Sequence, residues 1–455
     1  MDGTEKVMSK KIGSTTEKIT KYRWVILGLI FVIYTIANAD RSNIGIAMPF
    51  MRKEIAMTNT QAGGIASLFF LGYAGMMIPA GFIVTKYGVR RIFTFAMIAT
   101  SCFTGMAGFI TTISMLQVAR LFTGIAEGPV AVGCSTTINN WFPGREKGTA
   151  SGIFIASSKF GPLIVPTLCA FIIQTWGWRY IFFGFAIPGI VLAIAWYFMV
   201  HNYPSESPYC SKAEAEYITT DKTLVQGKEK KKKTYTLWWL DRIIRAKKVE
   251  RLNTASKVFL NWNMIGAAIG YFFMVGIVSV MMSWIPTYLT TVKHLAIMKM
   301  ALVASAPFAG TVAGNMAGGW FSDNVLNKRR KPLMIVTSIS TSIMMYSLIY
   351  APANPVLLAG LLFLTGLLLA LGYSAFMAYP MALVAKEKFP IGTAIINTGG
   401  QLGGFAAPLA VGMILDKYNW NMVFTALAVG SIITLLIVLT IIEPVDDPLT
   451  GPVKN

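Results

Sequence analysis

Charged residues are scarce in this chain. Asp, Glu, Lys and Arg make up 13% of its 455 residues, and 55% are hydrophobic; an ordinary soluble domain carries about 25% charge. So small a polar complement cannot cover a water-soluble globule of this length, and the composition is that of a polytopic membrane protein. Histidine and cysteine are scarcer still. His201 and His294 lie far apart, and Cys102, Cys134, Cys169 and Cys210 fall in apolar stretches or in a polar connector. Neither a disulfide framework nor a metal centre is expected from them. No nucleophile with a paired base and no phosphate-cradling loop stands out, which argues against an enzyme and implies no cofactor. Acid is also short: 20 Asp and Glu stand against 40 Lys and Arg, a net charge of +20.

What the chain does have is long apolar runs. They begin near Trp24, Gly63, Ile92, Leu116, Gly148, Ile181, Val258, Ala301, Leu333, Pro355, Ile391 and Met422, each near or above the roughly 20 residues that cross a bilayer as helix. They predict an all-α membrane protein of twelve transmembrane helices. Most of the Lys and Arg fall in segments that share a side with both termini. The positive-inside rule then places the termini in the cytoplasm, and the chain is expected in the plasma membrane. The run Lys228 to Lys233 would suggest nucleic acid in a soluble protein; here it reads as a solvated linker beside an anionic leaflet, with no nucleic-acid partner. The basic N-terminus runs into a full-length span without a small-residue cleavage site, so the first span is expected to be its own insertion signal.

The longest polar stretch divides the spans six and six. The expected organisation is a cytoplasmic N-terminus over 1–22, a six-helix bundle over 23–201, a cytoplasmic linker over 202–257, a second six-helix bundle over 258–443 and a cytoplasmic tail over 444–455. Within the linker, Ser211 and Glu214 have capping-box spacing. Trp238, Trp239, Ile243, Ile244 and Leu252 alternate with Arg242, Lys247 and Arg251 as in an interfacial amphipathic helix. The two bundles also repeat each other. Gly81 to Arg91, with Thr85, Lys86, Gly88 and Arg90, has its counterpart in Gly319 to Asp323 followed by Lys328 to Lys331; Phe142-Pro143 with Gly148-Thr149-Ala150 recurs as Phe389-Pro390 with Gly392-Thr393-Ala394, about 240 residues on. Separation by an even number of spans keeps both copies on one side, so the repeat is parallel, about an axis normal to the membrane.

Five ionisable residues interrupt the spans of the first bundle, and the spans of the second carry none. Asp40 and Arg41 lie between Val25 and Ala47, Arg120 and Glu127 between Met115 and Ile138, and Lys159 between Gly148 and Phe171. A charge at membrane depth costs a few kcal/mol or more and marks a substrate or ion path by default. Arg120 and Glu127 are seven apart and share a helix face, and Asp40 and Arg120 fall at similar depth, within pairing distance across two helices. A static ion pair tying helices together is the plain alternative. The count weighs against it, because three cations and two acids leave a net charge of +1. That surplus implies an anionic substrate, while the acids, neutralised when burial favours the proton, are candidates for the coupling ion. Lys159 stands roughly 16 Å into its span, too deep to snorkel fully. The second bundle offers neutral groups: Tyr271, Ser283, Asn315, Tyr373, Ser374, Tyr379, Asn397 and Gln401. Asn397 is favoured among them by the glycines around it. Trp284, Pro286 and Tyr288 read as an interfacial anchor.

Asn38-Ala-Asp40-Arg41-Ser-Asn43, Arg120-Leu-Phe-Thr-Gly124-Ile-Ala-Glu127, Trp141-Phe142-Pro143 with Glu146-Lys147, Trp284-Ile-Pro286-Thr-Tyr288-Leu289 and Asn397 with Gly399-Gly400 resemble the major facilitator superfamily. Within it they resemble the anion:cation symporters that include bacterial galactonate, glucarate and hexuronate transporters. The resemblance covers essentially the whole chain. It implies a fold of two pseudo-symmetric six-helix bundles. It also implies Arg41 as the grip on a substrate carboxylate, Asp40 and Glu127 as proton-carrying acids, Arg120 as the cation coupling them, and Tyr73 and Asn397 as site-lining residues. Thr85 and Lys86 depart from the Asp-Arg pair usual in the first loop motif, whereas Asp323 keeps the second copy; Arg90 and Asp323 are the expected gate residues. Lys159 stands where related sugar-acid transporters often have a neutral group such as Gln. The expected activity is import of a small organic anion, a sugar acid or similar carboxylate, by symport with protons or else sodium, through a monomer. An efflux antiporter or anion exchanger is the alternative.

Overall fold

The computed structural model describes residues 19–224, 238–327, 329–385 and 388–445. Helices account for nearly all of it. In the first half, α1 (Tyr22–Glu54), α2 (Asn59–Tyr87), α3 (Val89–Ala107), α4 (Ile113–Trp141), α5 (Lys147–Thr175) and α6 (Arg179–Met199) run back and forth. The connector holds α7 (Lys212–Leu224), α8 (Trp238–Ile243), a strand β1 (Ala246–Lys248) and α9 (Ala255–Leu260). The second half holds α10 (Trp262–Thr291), α11 (Ile297–Asn324), α12 (Lys331–Ser347), α13 (Pro355–Ala378), α14 (Pro380–Leu383), α15 (Phe389–Lys417), α16 (Trp420–Thr440) and a strand β2 (Glu443–Val445).

Local chemistry sets the ends of these helices. Thr58 and Gln61 form a reciprocal capping box at the start of α2, and Asn261, Asn354 and Asn419 accept main-chain N–H groups at the starts of α10, α13 and α16; such caps satisfy donors that a bilayer cannot. Among the described residues, ten helices are long and apolar enough to cross a membrane: α1, α2, α5, α6 and α10 to α16 without the short α14. The comparably long α3 and α4 are diluted by Arg90 and Arg91, and by Arg120 and Glu127. Large apolar side chains such as Phe82, Phe95, Phe109 and Ile187 point outward, where lipid rather than water would meet them.

The halves share one packing plan. In the first, α2 packs on α4, α1 on α5, and α3 on both α4 and α6; in the second, the corresponding α11 packs on α13, α10 on α15, and α12 on both α13 and α16. The internal repeat of the sequence is therefore a repeat of architecture. The halves meet through α2 with α15, α5 with α11, and α1 with α10. At the face opposite the start of α1 and the end of α16, the Asp416 carboxylate at the end of α15 accepts from the main-chain N–H groups of Asn59 and Thr60, each at 2.8 Å, and from Thr60 Oγ1 at 2.6 Å. Gly412, one turn earlier, faces the Asn59 carbonyl so closely that any β-carbon would collide with main chain.

At the other face, each half grips its own end of the connector. Ser211 caps α7 through the Glu214 N–H at 3.2 Å, but the Glu214 carboxylate does not complete a capping box. It turns instead to Thr20 Oγ1, the Tyr22 N–H and Arg23 Nη1, the last at 2.6 Å. Arg23 also binds Glu146 at 2.8 Å. On the second half, Asp241 of α8 pairs with Arg329. The amphipathic helix expected through Leu252 stops at Ile243: Arg245 takes a left-handed φ of 57°, and β1 then pairs in parallel with β2, while Leu252 exchanges main-chain hydrogen bonds with Leu383 and Ala385. Pairing with the chain beyond α16 satisfies the backbone that a longer helix would have satisfied internally. The run Lys228 to Lys233 lies outside the described residues.

Trp284 and Tyr288 are not an interfacial anchor. Both are buried, Trp284 Nε1 donating to the Pro408 carbonyl at 3.1 Å and Tyr288 packing against Trp420 and Phe424. The indole finds a carbonyl inside the bundle, which removes the usual reason for a tryptophan to sit at the water boundary.

Candidate functional site

Four of the five ionisable residues expected within the spans converge in the first half. Arg41 on α1 and Glu127 on α4 form an ion pair, Nη2 to Oε1 at 2.7 Å and Nε to Oε1 at 2.8 Å. Glu127 is fully buried, and its second oxygen, Oε2, has no hydrogen-bond partner. The Arg41 guanidinium lies over the ring of Tyr73 at 4.5 Å and of Phe69 at 5.4 Å, so an aromatic floor on α2 supports it. That floor can approach because Gly124 packs directly on the α2 main chain at Phe69 and Tyr73, where a side chain would collide.

Asp40 and Arg120 do meet, though not through the carboxylate. Arg120 Nη1 donates to the Asp40 main-chain carbonyl at 3.2 Å and its guanidinium lies 5.0 Å from the Phe69 ring centre. The Asp40 carboxylate instead accepts from Asn43 at 3.1 Å and from Thr104 on α3 at 3.2 Å. Neighbouring residues of α1 point about 100° apart on a helix, so with Arg41 turned to Glu127, the Asp40 side chain is carried round to α3. Thr104 went unnoticed in the sequence; the signal was the polar cluster Thr100, Ser101 and Thr104 inside an apolar span. Phe69 gave none, being one aromatic among many.

A cavity of about 80 Å³ separates the halves. Arg41, Lys159 and Asn38 line it from the first half, and Tyr373, Gln401 and Ser279 from the second. Lys159 faces it, its ammonium 4.7 Å from the centre of the Tyr373 ring. On α15 the lining residue is Gln401, whose buried amide oxygen has no partner; Asn397, one turn earlier, is half-buried and off the lining. Tyr73 reaches the cavity only by supporting Arg41. The two gate candidates stay within their own halves: Arg90 donates to the Tyr197 carbonyl at 2.7 Å, and Asp323 pairs with Arg330 at 3.0 Å. Among the described residues no cluster of His, Cys, Asp and Glu could hold a metal ion.

The chain is similar to transporters along its length. It is 27% identical over 421 residues to a probable galactarate/D-glucarate transporter of Escherichia coli (strain K12), covering 88% of this chain and 91% of that one. It is 25% identical to a probable sulfoacetate transporter of Cupriavidus necator, covering 96% and 98%. Among solved structures, a D-xylose-proton symporter superposes with a TM-score of 0.70 at 15% identity, covering 94% of this chain and 100% of that one. A bacterial homologue of the human lysosomal transporter Spinster, inward-facing and unoccupied, gives 0.69 at 15% identity, covering 93% and 97%. The sequence pattern of the Major Facilitator Superfamily matches residues 30–346 and again 268–455, so that, with the duplicated helical plan, the chain belongs to that superfamily.

Proposed function

We propose that this protein is a secondary active transporter that carries a small organic anion, a sugar acid or related carboxylate, together with protons. The observation that carries the reading is the pair Arg41 and Glu127. Arg41 lines the central cavity while its guanidinium is held by a buried acid with one free oxygen. A proton on Glu127 weakens that pair and releases the guanidinium for a substrate carboxylate, which a planar fork grips at two points. Loss of the proton reverses the exchange. Asp40, buried between Asn43 and Thr104 with Arg120 on its carbonyl, is the second acid of the relay. The galactarate, glucarate and sulfoacetate named for its relatives are all organic anions, which agrees with a cavity bearing Arg41 and Lys159.

In this reading α3 and α4 complete twelve spans, six in each half, with both termini and the basic connector on the cytoplasmic side of the plasma membrane. The carrier works as a monomer, since the cavity is complete within one chain. Asp416 with Asn59 and Thr60 closes the outer face. Proteoliposomes loaded at neutral pH and offered labelled galactarate, glucarate and a monocarboxylate at acidic external pH test the reading. Accumulation that collapses with a protonophore is the expected result, and absence of flux for every acid in the panel overturns it. Anion exchange is the second reading, favoured by the cation surplus: three cations against two acids within the spans of the first half leave the empty carrier with a positive charge that is costly to move.

A further inference from the structure

Lys159 lines the cavity but takes no part in the Arg41–Glu127 exchange. Among the described residues no carboxylate approaches its ammonium within 4.0 Å, and what it meets is the face of Tyr373. That contact crosses the cavity, from α5 in the first half to α13 in the second. The ring is itself held in place: Tyr373 packs against Tyr271 of α10 with ring centres 5.1 Å apart, Tyr271 packs against Phe376 at 6.1 Å, and Tyr271 fills the space beside Gly400 of α15, where a side chain would strike its ring. Three helices of the second half thus present one fixed aromatic face to a charge that belongs to the first.

We infer that Tyr373 is the resting partner of Lys159, taking the ammonium on its ring face in the unloaded carrier and giving it up to an anionic group of the substrate. An ammonium at membrane depth is costly without compensation, and the face of a half-buried ring supplies part of it. A carboxylate at the Tyr373 position would compensate more, but it would neutralise the lysine and compete with the substrate on equal terms. The ring's attraction is strong enough to let the empty cavity close and weak enough for an anion to displace it. Tyr373 is therefore a positioning residue whose role falls on the return of the empty carrier, the step that separates net uptake from exchange. This inference rests on the proposed transport of an organic anion for its consequence, and on geometry alone for the contact.

Two measurements on the full-length protein test it. The first needs no substrate: thermal unfolding of the unloaded, detergent-purified protein in a double-mutant cycle of Tyr373→Leu and Lys159→Gln. The leucine variant is expected to lower the midpoint in the parent background and to change it far less beside Lys159→Gln; additive shifts overturn the contact. Tyr373→Phe keeps the ring and is expected to behave as the parent, and Tyr373→Met replaces leucine in the cycle if that variant does not fold. The second compares net uptake of D-glucarate with its exchange in proteoliposomes. Tyr373→Leu is expected to lower the ratio of net uptake to exchange by about tenfold, on the order of one half-buried cation–π contact, with Tyr373→Phe restoring it. Equal losses in both modes overturn the role in empty return. If the unaltered protein moves no anion in either mode, the transport reading fails, and the thermal cycle still decides the contact.

Discussion

In the first half α1, α4 and α5 bring Arg41, Glu127, Arg120 and Lys159 toward the middle of the bundle; their counterparts α10, α13 and α15 bring Tyr271, Tyr373 and Gln401. The helices pack by the same plan, so the difference is chemical rather than architectural. Where the partners lie explains it. Arg41 with Glu127, and Arg120 with the Asp40 carbonyl, are contacts inside one half, and they survive any motion of the halves against each other. An ion pair spanning the cavity would have to be broken in low dielectric at each turnover, at a cost of several kcal/mol. Lys159, which faces the second half across the cavity, meets a neutral ring instead. Alternating access in a pseudo-symmetric scaffold is thus compatible with buried charge when the charges are confined to one moving body.

The most forceful way to break this asymmetry is to leave one of its charges alone. Arg41→Ala strands Glu127 in a dry site, and removing one partner of a buried pair typically costs about 3–5 kcal/mol unless the acid takes up a proton. Uptake below saturation is expected to disappear, and Arg41→Lys is expected to rescue it poorly because a point charge does not replace a fork. Parent-like uptake by Arg41→Ala, measured as initial rate in proteoliposomes, contradicts the assignment.

Neutralising the acids instead keeps the architecture and removes the coupling. Glu127→Gln and Asp40→Asn are expected to lose proton-driven accumulation, at least one of them still exchanging substrate across the membrane. Both variants concentrating substrate under an inward proton gradient shows that the proton travels elsewhere.

A milder perturbation loosens the join between the halves without touching the centre. Asp416→Ala removes three hydrogen bonds from the start of α2. Because the site is exposed, the loss is expected to be roughly 1 kcal/mol, a several-fold shift toward states open at that face. Spin-label distances between the starts of α2 and α16 report it; an unchanged distribution means that the helix contacts beneath, at Gly412 and Asn59, hold the face closed by themselves.

The fold and the charged centre were legible in the sequence because membrane physics makes their signals large. Apolar length marks a span, and a charge within one is rare enough to carry meaning. Pairing was less legible. Similar depth suggested Asp40 against Arg120, but depth does not give azimuth, and a rotation of about 100° between neighbouring residues sent Arg41 to Glu127 and the Asp40 side chain to Thr104. Asn397 was favoured over Gln401 for its glycines, yet glycines mark close backbone approach, and the cavity opens one turn away. The connector misled in another way: alternation of Trp and Ile with Arg and Lys suits an interfacial helix, and nothing local announced that β2, about 200 residues on, pairs with β1.

The smallest expected effect sharpens the comparison at the connector face, where the first half holds a half-buried acid outside the spans, Glu146, and the second a buried one, Glu443, with opposite results. Burial acts to raise the Glu146 carboxyl, but hydrogen bonds from Arg23 and Tyr217 outweigh it and hold the group below its ordinary range. Glu443 is almost wholly buried at the start of α12, accepting from the N–H groups of Arg330 at 3.0 Å and Lys331 at 2.6 Å. There burial prevails over those hydrogen bonds and over Arg329 and Arg330, and the carboxyl is pushed up to about 7. A raised acid binds a proton in the folded state that the unfolded chain has released, so its contribution is fully present below the unfolded value and is lost as pH rises through about 7. Between pH 6 and 8 the purified protein is expected to lose about 1 kcal/mol from this group, a loss that Glu443→Gln abolishes. Glu146 contributes with the opposite sign and is lost only as pH falls below the ordinary carboxylate range, so Glu146→Gln is expected to leave the slope between pH 6 and 8 unchanged. Thermal midpoints of the three proteins across that window decide it, and an unchanged slope in Glu443→Gln shows that the acid is already ionised at pH 6 by the helix start it caps.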